Sequence, residues 1–265
     1  MEKFIPCRNC AGKGVRGQST GYIYNAKLNA VKECECHIRY RINNGILSRL
    51  EKIGVGRDNF ILHYDPDKDY VGTKSADSVA KIKKFIAQFK DYNADYHHVL
   101  LYLYGTNGTQ KSTLGKYICK EVVSTAKDDE YKSSLYPNYY KAMFITMNDL
   151  IKQLTIIDVD KQEAAMKKVN EADVLVIDES FDKEKVTIYK SGYQIPFLDS
   201  FLRKFMNDPT KSIIFISNVS PQDIEANGYS HSLQDFVERF TKIQNSAIEF
   251  KDNYIQSVDR FSHLF

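Results

Sequence analysis

The chain has 265 residues, of which 43% are hydrophobic and 27% are charged, and its formal net charge is +3. This length allows one sizeable core with a small appendage, and the composition is ordinary for a globular protein. No apolar run approaches the roughly 20 residues that cross a bilayer, and the N-terminus lacks the apolar region of a signal peptide. We therefore expect a cytoplasmic protein with no membrane partner, and the small net charge does not by itself indicate nucleic acid.

Four of the five cysteines lie in the first 36 residues, as the pairs Cys7 with Cys10 and Cys34 with Cys36. A C-x₂-C pair and a C-x-C pair predict a tetrahedral four-thiolate zinc site, because each pair turns tightly and the stretch between them can return as a ribbon. A disulfide pair, which a reducing cytoplasm disfavours, and unligated thiols are the alternatives. His37 is an outside candidate to replace one sulfur.

The segment after the cysteines connects this module to a larger domain. Apolar residues at helical spacing predict a helix over 38–53 and an amphipathic helix over 75–92. Between them, 65–69 has the composition of a turn-rich loop. We place the domain boundary so that 1–45 form the cysteine module and 46–265 form the second domain.

From Val99 onward, apolar strand patterns alternate with helical patterns. The predicted strands cover 99–104, 141–146, 174–178, 212–217 and about 246–250, and the predicted helices cover 111–125, 148–155, 160–169, 195–206 and 232–240. This alternation implies right-handed crossovers and a mainly parallel sheet with helices on both faces. The predicted fold class is α/β.

A glycine-containing loop lies between the first of these strands and its helix. It consists of Gly105, Thr106, Asn107, Gly108, Thr109, Gln110, Lys111, Ser112 and Thr113. This pattern predicts a phosphate-binding loop, in which backbone N–H groups face an anion, Lys111 reaches the outer phosphates and Ser112 can bind Mg²⁺. Gln110 stands where a second glycine is usual, so it joins the cradle only if its backbone angles tolerate a side chain. A chance glycine turn is the alternative.

Two later strands end in polar residues. The apolar strand from Val174 ends in Asp178 and Glu179, and we expect Asp178 to hold Mg²⁺ through water and Glu179 to polarise an attacking water. The strand over 212–217 ends at Asn218, which is suitably placed to orient water near a γ-phosphate. An acidic pair is often only a solvated turn, but here it follows a phosphate loop. The order of the three motifs is that of an AAA+ ATPase, for which ATP and Mg²⁺ are expected.

The chain as a whole resembles the DnaC/DnaI-type loaders of bacterial replicative helicases, including phage versions. The resemblance covers nearly the whole chain and rests on the two cysteine pairs, the phosphate loop, 211–218 and 235–240 followed by 247–250. It implies a minimal AAA+ core without the usual C-terminal helical lid. It also implies that Arg239 acts as a finger on the nucleotide of a neighbouring subunit, a role that suits guanidinium. A surface ion pair with Glu238 or Asp235 is the alternative for Arg239.

The resemblance further implies the partners. The N-terminal module would dock on a hexameric helicase of the DnaB type, and the core would self-associate through AAA+ interfaces and bind single-stranded DNA in a bacterial or phage-infected cell. Stacking and cationic side chains suit single strands. We name Phe181, Lys185, Tyr189 and Lys190 as candidates for that contact.

Two departures from the family pattern concern activity. Gln110 replaces a glycine, and Ile255 follows Tyr254 where relatives often have an arginine. Both favour modest or partner-stimulated ATP hydrolysis. The alternatives to a loader are an IstB-like transposition-helper ATPase that acts on duplex DNA, and a zinc-ribbon adaptor with a weak or non-hydrolysing nucleotide fold. A metabolic kinase should show a cluster of lid arginines, which the sequence lacks.

Overall fold

The computed structural model describes residues 4–8, 10–11, 21–25, 30–70, 75–90, 98–127, 138–182 and 194–251. The strands are β1 Tyr22–Asn25, β2 Ala30–Glu33, β3 Leu100–Gly105, β4 Ala142–Thr146, β5 Val174–Ser180, β6 Ser212–Ser217 and β7 Ala247–Phe250. The helices are α1 Glu35–Lys52, α2 Asn59–His63, α3 Pro66–Tyr70, α4 Ala76–Lys90, α5 Lys111–Ser124, α6 Met147–Leu154, α7 Val159–Glu171, α8 Gln194–Met206 and α9 His231–Gln244. None of the helices in these ranges is long and apolar enough to cross a membrane.

Five strands form one parallel sheet in the order β4-β5-β6-β3-β7. The first strand of the sheet in sequence, β3, therefore lies inside it, between β6 and β7. Every residue of β6 is buried, as expected of a parallel strand that is covered on both faces. The predicted α/β class with a mainly parallel sheet is confirmed, and the carboxyl ends of all five strands share one edge.

Two apolar cores cover the two faces of the sheet, and alternate residues of each strand enter alternate cores. Leu101 and Leu103 of β3 pack with residues of α1, α2, α4 and α5. Leu100 and Tyr102 of the same strand pack with residues of α6, α7, α8 and α9. The side-chain period of two along a strand produces this division. The two helical layers hold the sheet edge in place from both sides.

The N-terminal module consists of a hairpin and the start of a long helix. Strands β1 and β2 pair antiparallel, and Cys34 directly precedes α1. Helix α1 begins at Glu35, three residues before the predicted start, and its buried residues are Leu47 and Leu50. The boundary that we placed between residues 45 and 46 thus falls inside one continuous helix, which joins the cysteine module to the core.

The turn-rich loop predicted over 65–69 is wrong, because 66–70 form the short helix α3. Asp65 accepts the N–H of Asp67 at 3.2 Å, and Pro66 occupies the first helical position. Acidic residues and proline are typical of turns, but they are equally typical of helix starts. Composition alone could not separate the two structures.

Phe181, which we predicted as a candidate for DNA contact, is a core residue. Its side chain is 0% exposed, and its ring contacts those of Tyr102, Phe215 and Tyr229. It directly follows β5, and its positive φ of 64° turns the ring under the sheet edge. The other three candidates, Lys185, Tyr189 and Lys190, lie outside the described residues.

This burial predicts a large effect on stability. Phe181→Ala should lower the free energy of unfolding by about 3–5 kcal/mol, because it removes a fully buried ring and leaves a cavity. Phe197→Ala is the matched control, since Phe197 is 54% exposed and its loss should cost less than about 1 kcal/mol. Urea denaturation of both variants measures the difference. Equal costs would contradict the buried position of Phe181.

Candidate functional site

The phosphate loop follows β3 and ends where α5 begins at Lys111. Gly105 has φ 139°, and a Cβ atom added there would lie 2.1 Å from the carbonyl oxygen of Phe250 in β7. Gly108 also has a positive φ, of 79°. Both positions adopt backbone conformations that side chains rarely take. The sequence therefore has glycine where the loop geometry requires it.

Gln110 adopts the left-handed conformation, with φ 59° and ψ 23°. A residue with a Cβ pays about 1–2 kcal/mol for this conformation. The Gln110 carbonyl nevertheless accepts the N–H of Leu114 at 3.0 Å, which begins the hydrogen-bond ladder of α5. Gln110 thus takes the conformation that a glycine would take here, at a cost in strain.

The interior of the loop is rich in donors. Within the described part of the chain, the N–H groups of residues 107–113 make no hydrogen bond to other protein groups. The Lys111 ammonium donates to the carbonyl oxygens of Gly105 (2.9 Å) and Thr106 (2.7 Å) and to Thr109 Oγ1 (3.0 Å). Burial lowers the pKa of Lys111 to about 8, so the side chain is still mostly protonated at neutral pH. Such a loop suits a phosphate anion.

Two carboxylates lie opposite the loop, at the end of β5. Asp178 Oδ1 accepts the Ser112 hydroxyl at 3.0 Å and the N–H of Glu179 at 2.9 Å. Burial raises the pKa of Asp178, and these two hydrogen bonds act in the opposite direction. The structure therefore brings together the two residues, Ser112 and Asp178, that the sequence predicts as Mg²⁺ ligands.

Glu179 lies at a bend in the backbone. Its φ is 52°, and the pairing of β5 with β6 shifts register between Ile177 and Ser180. The Ser217 hydroxyl donates to the Ser180 carbonyl at 2.6 Å and fixes this bend. The exposed Glu179 side chain is thereby directed to the carboxyl edge of the sheet. Strained backbone of this kind persists only where the surrounding structure holds it.

The loop, the carboxylates and the end of β6 enclose one cavity of about 540 Å³. It is lined by Asn107, Gly108, Thr109, Gln110, Lys111, Ser112, Asp178, Glu179, Asp182, Ile216, Ser217 and Asn218. Gly105 and Thr106 are not part of this lining, and they contribute carbonyl oxygens to Lys111 instead. Thr113 lies in the first turn of α5 and is also not part of the lining. The cavity lies at the carboxyl ends of the strands, where ligands of open α/β sheets bind.

Three residues of this lining were not predicted from the sequence: the apolar Ile216 and the polar residues Asp182 and Ser217. The negative charge of Asp182 acts on Lys111 together with that of Asp178. Asp182 comes four residues after Asp178, beyond the predicted end of that strand. Ser217 lies within the predicted strand over 212–217 and looks like any other strand residue. Both residues are far from the loop in sequence, and no sequence pattern indicates that they approach it. Only the bend at Glu179 and the pairing of β5 with β6 bring them to the cavity.

Arg239 does not reach the nucleotide-sized cavity of its own chain. It is exposed on α9 and lines a separate cavity with Arg203 and Phe236. It forms no ion pair with any described residue, and the nearby Asp235 pairs with His231 at 3.4 Å. Of the residues predicted for the nucleotide site and lying on the described ranges, Arg239 is thus the one that a single chain leaves apart from the loop and its cavity.

A second candidate site lies in the N-terminal module. The five cysteines of the chain are not joined by disulfides, and the sulfurs of Cys7, Cys10, Cys34 and Cys36 lie within 4.8 Å of one another. Neighbouring sulfurs are 3.4–3.8 Å apart. His37 is not part of this group, because its Nδ1 lies 2.8 Å from Glu33 Oε1. The four thiols are placed so that they can hold one metal ion.

Comparisons with known proteins give likenesses of fold. No family model and no curated protein matches the chain. Among solved structures, domain III of the Thermotoga maritima replication initiation protein DnaA matches 71% of this chain and 67% of its own length at 22% identity (TM-score 0.44). A structure of DnaI matches 72% of this chain and 86% of its own length at 16% identity (TM-score 0.44). A putative primosome component from Streptococcus pyogenes matches 74% and 88% at 16% identity (TM-score 0.44).

The AMPPCP-bound DnaA of Aquifex aeolicus is also similar, at 17% identity over 73% of this chain and with a TM-score of 0.48. This chain spans only about half, 53%, of that protein. The structure itself gives the fold: a five-stranded parallel sheet, a phosphate loop after its inner strand β3 and a four-cysteine cluster ahead of it form an α/β P-loop core with a small N-terminal module.

Proposed function

We propose that this protein is an ATPase that loads a replicative DNA helicase onto single-stranded DNA. The observation that carries the nucleotide part of this proposal is the single cavity in which Lys111, Ser112, Asp178, Glu179 and Asn218 meet. These residues come from the start of α5, the end of β5 and the position directly after β6. Their convergence supports a catalytic site and disfavours a chance glycine turn or a solvated acidic pair.

ATP would bind with its phosphates against the loop. The unpaired N–H groups of the loop and the dipole of α5 favour negative charge, and the Lys111 ammonium would exchange its carbonyl acceptors for phosphate oxygens. Ser112 and Asp178, already in contact at 3.0 Å, would hold Mg²⁺. When bound, Mg²⁺ neutralises phosphate charge that builds up during transfer.

Hydrolysis would depend on the residues at the strand ends. Glu179 is exposed to the cavity and would orient and polarise the attacking water, and Asn218 at the end of β6 would help to position it. Arg239 would act on the nucleotide of a neighbouring subunit, since it lines a different cavity from the nucleotide cavity of its own chain. Self-association would then be required for full activity, in keeping with modest hydrolysis by a single chain.

The four thiols fit zinc well. Four sulfurs placed at tetrahedral corners about 2.3 Å from Zn²⁺ are about 3.8 Å from one another. The observed separations of 3.4–3.8 Å approach this value, although the chain holds no disulfide that would draw the sulfurs together. Cys7, Cys10, Cys34 and Cys36 would hold the ion as thiolates, and the module of residues 1–45 would depend on it for its fold.

The loader role combines this module with the ATPase core. We infer that the module docks on a hexameric helicase of the DnaB type and that the core binds single-stranded DNA. A pull-down with the cognate helicase tests this step, with the full chain and with Cys34→Ser/Cys36→Ser, which should lose the helicase but keep nucleotide. Binding to duplex DNA without helicase would favour the transposition-helper alternative. Intact placement of Lys111, Asp178 and Glu179 disfavours the non-hydrolysing adaptor.

Nucleotide binding and turnover should separate in two variants. Lys111→Ala should abolish ATP binding, because it removes the charge that faces the phosphates, whereas Glu179→Gln should bind ATP and stop turnover. Calorimetry and phosphate release measure the two steps. Lys84→Ala, which alters an exposed lysine of α4, is the control and should behave as wild type. Equal ATP affinity in wild type and Lys111→Ala would show that the loop is not a nucleotide site.

Purified protein should contain about one zinc ion per chain by elemental analysis. Cys7→Ser should lose the ion and unfold the N-terminal module, because metal binding supplies most of the stability of so small a unit. Nucleotide binding by the core should remain. Cys119→Ser serves as control, since Cys119 is buried in α5 away from the cluster and its loss should leave the zinc content unchanged. Less than a tenth of an equivalent in protein purified without chelator would contradict the site.

Arg239→Ala should bind ATP normally and lose hydrolysis by several powers of ten, because a finger arginine acts only across an interface. Mixed with Glu179→Gln, it should regain part of the activity, since some interfaces then pair an intact Glu179 with an intact Arg239. Lys242→Ala, an exposed cation on the same helix, is the control and should hydrolyse ATP as wild type does. If the two inactive variants co-assemble without recovery, Arg239 has no role in trans.

A further inference from the structure

A buried tyrosine from the linker region contacts the phosphate loop directly. Tyr70, the last residue of α3, is 3% exposed, and its hydroxyl donates to the carbonyl oxygen of Thr109 at 2.7 Å. The ring of Tyr70 packs edge-on against that of Phe250, whose backbone pairs with Gly105. The side chain is therefore wedged between the end of β7 and the loop, and its hydroxyl bond is made away from water.

The acceptor of this bond belongs to a peptide unit that bears on the site. A trans peptide is planar, and its carbonyl and its N–H point in opposite directions. With the Thr109 carbonyl held toward Tyr70, the N–H of Gln110 is turned to the other side of the loop. Gln110 lines the nucleotide cavity, and its N–H makes no hydrogen bond within the part of the chain that the structure describes.

The same peptide leads into the strained residue of the loop. Gln110 has φ 59°, where a side chain opposes the conformation and a glycine would not. A free loop would relieve this strain by rotating the peptide between Thr109 and Gln110, which would turn the N–H of Gln110 out of the cavity. The Tyr70 hydroxyl opposes that rotation, because the rotation would leave a buried carbonyl and a buried hydroxyl without their bond.

We propose that Tyr70 is a positioning residue that holds the phosphate loop in its anion-binding shape and thereby compensates for Gln110 in place of glycine. This inference rests on the proposed nucleotide site and adds a dependence on the region before the core. Tyr70 touches no nucleotide in this scheme. It acts through the Thr109–Gln110 peptide, and its effect should depend on which residue occupies position 110.

The test is a double-mutant cycle on the full chain, with Kd for ATP measured by calorimetry. Tyr70→Phe keeps the ring and its packing on Phe250 but removes the hydroxyl, and it should weaken ATP binding by about tenfold. In the Gln110→Gly background, where the left-handed conformation is free of strain, the same change should cost less than about threefold. Gln110→Ala retains a Cβ, so in that background the dependence on Tyr70 should return to about tenfold.

Controls separate this inference from the proposed function and from a loss of folding. Tyr64→Phe removes another buried tyrosine hydroxyl, on a ring that packs against Phe60 and Tyr117, and should leave the Kd unchanged. If the wild-type protein does not bind ATP, or binds it equally well without Lys111, the proposed nucleotide site itself is wrong. If wild type binds ATP through Lys111, an equal loss on Tyr70→Phe in all three backgrounds would overturn the role of Tyr70. A lower thermal unfolding midpoint without nucleotide, at unchanged affinity, would also overturn it, because Tyr70 would then be structural only.

Discussion

The candidate site depends on the position of β3 inside the parallel sheet. Hydrogen bonding to β6 on one side and to β7 on the other fixes where β3 ends. Gly105 then lies against the Phe250 backbone with no room for a side chain. The loop that follows therefore lies over the carboxyl edge of the sheet, where β5 and β6 also end. The polar residues of three strands meet because their strands are held in register, a consequence of parallel pairing.

Backbone strain is concentrated at this edge. Gln110, Glu179 and Phe181 all have positive φ values without being glycine. Core neighbours hold two of them: Glu179 and Phe181 flank Ser180, whose carbonyl oxygen accepts the Ser217 hydroxyl, and the Phe181 ring is buried among aromatic residues. Strain of this kind is stable only where packing over-determines the backbone. Here the packed core supports the loop and the acidic bend, so the groups that face the cavity are pre-organised.

The N-terminal region is coupled to the core by continuous structure. Helix α1 starts directly after Cys34, and its buried residues Leu47 and Leu50 lie in its C-terminal half, where Leu50 joins the core on one face of the sheet. Helix α3 brings Tyr70 to the phosphate loop. A change in the cysteine module or in the region before the core thus has a physical route to the nucleotide cavity. For a loader, such a route would let the partner-binding module respond to the state of the ATPase.

The sequence by itself determined the fold class and the order of the core elements, and it predicted the loop of which residues 107–112 line the cavity. These depend on local patterns: a period of two or 3.6 in apolar residues, glycines at a tight turn and acids after a buried strand. The pairing of cysteines in the sequence likewise predicted the group of four thiols, which the structure brings together. Such local features can be predicted from a sequence because residues that are close in the chain determine them.

Tertiary structure alone decided the remainder. Phe181 lies after the predicted end of a strand, in a segment that we expected to be an exposed loop. Only the bend after β5 turns its ring into the core. Asp182 and Ser217 reach the cavity through strand pairing, and Tyr70 reaches the loop across 39 residues of sequence. Arg239 is set apart from its own nucleotide cavity by the placement of α9. Such relations join residues far apart in the chain, and they are settled by which faces pack together, a property that no local pattern contains.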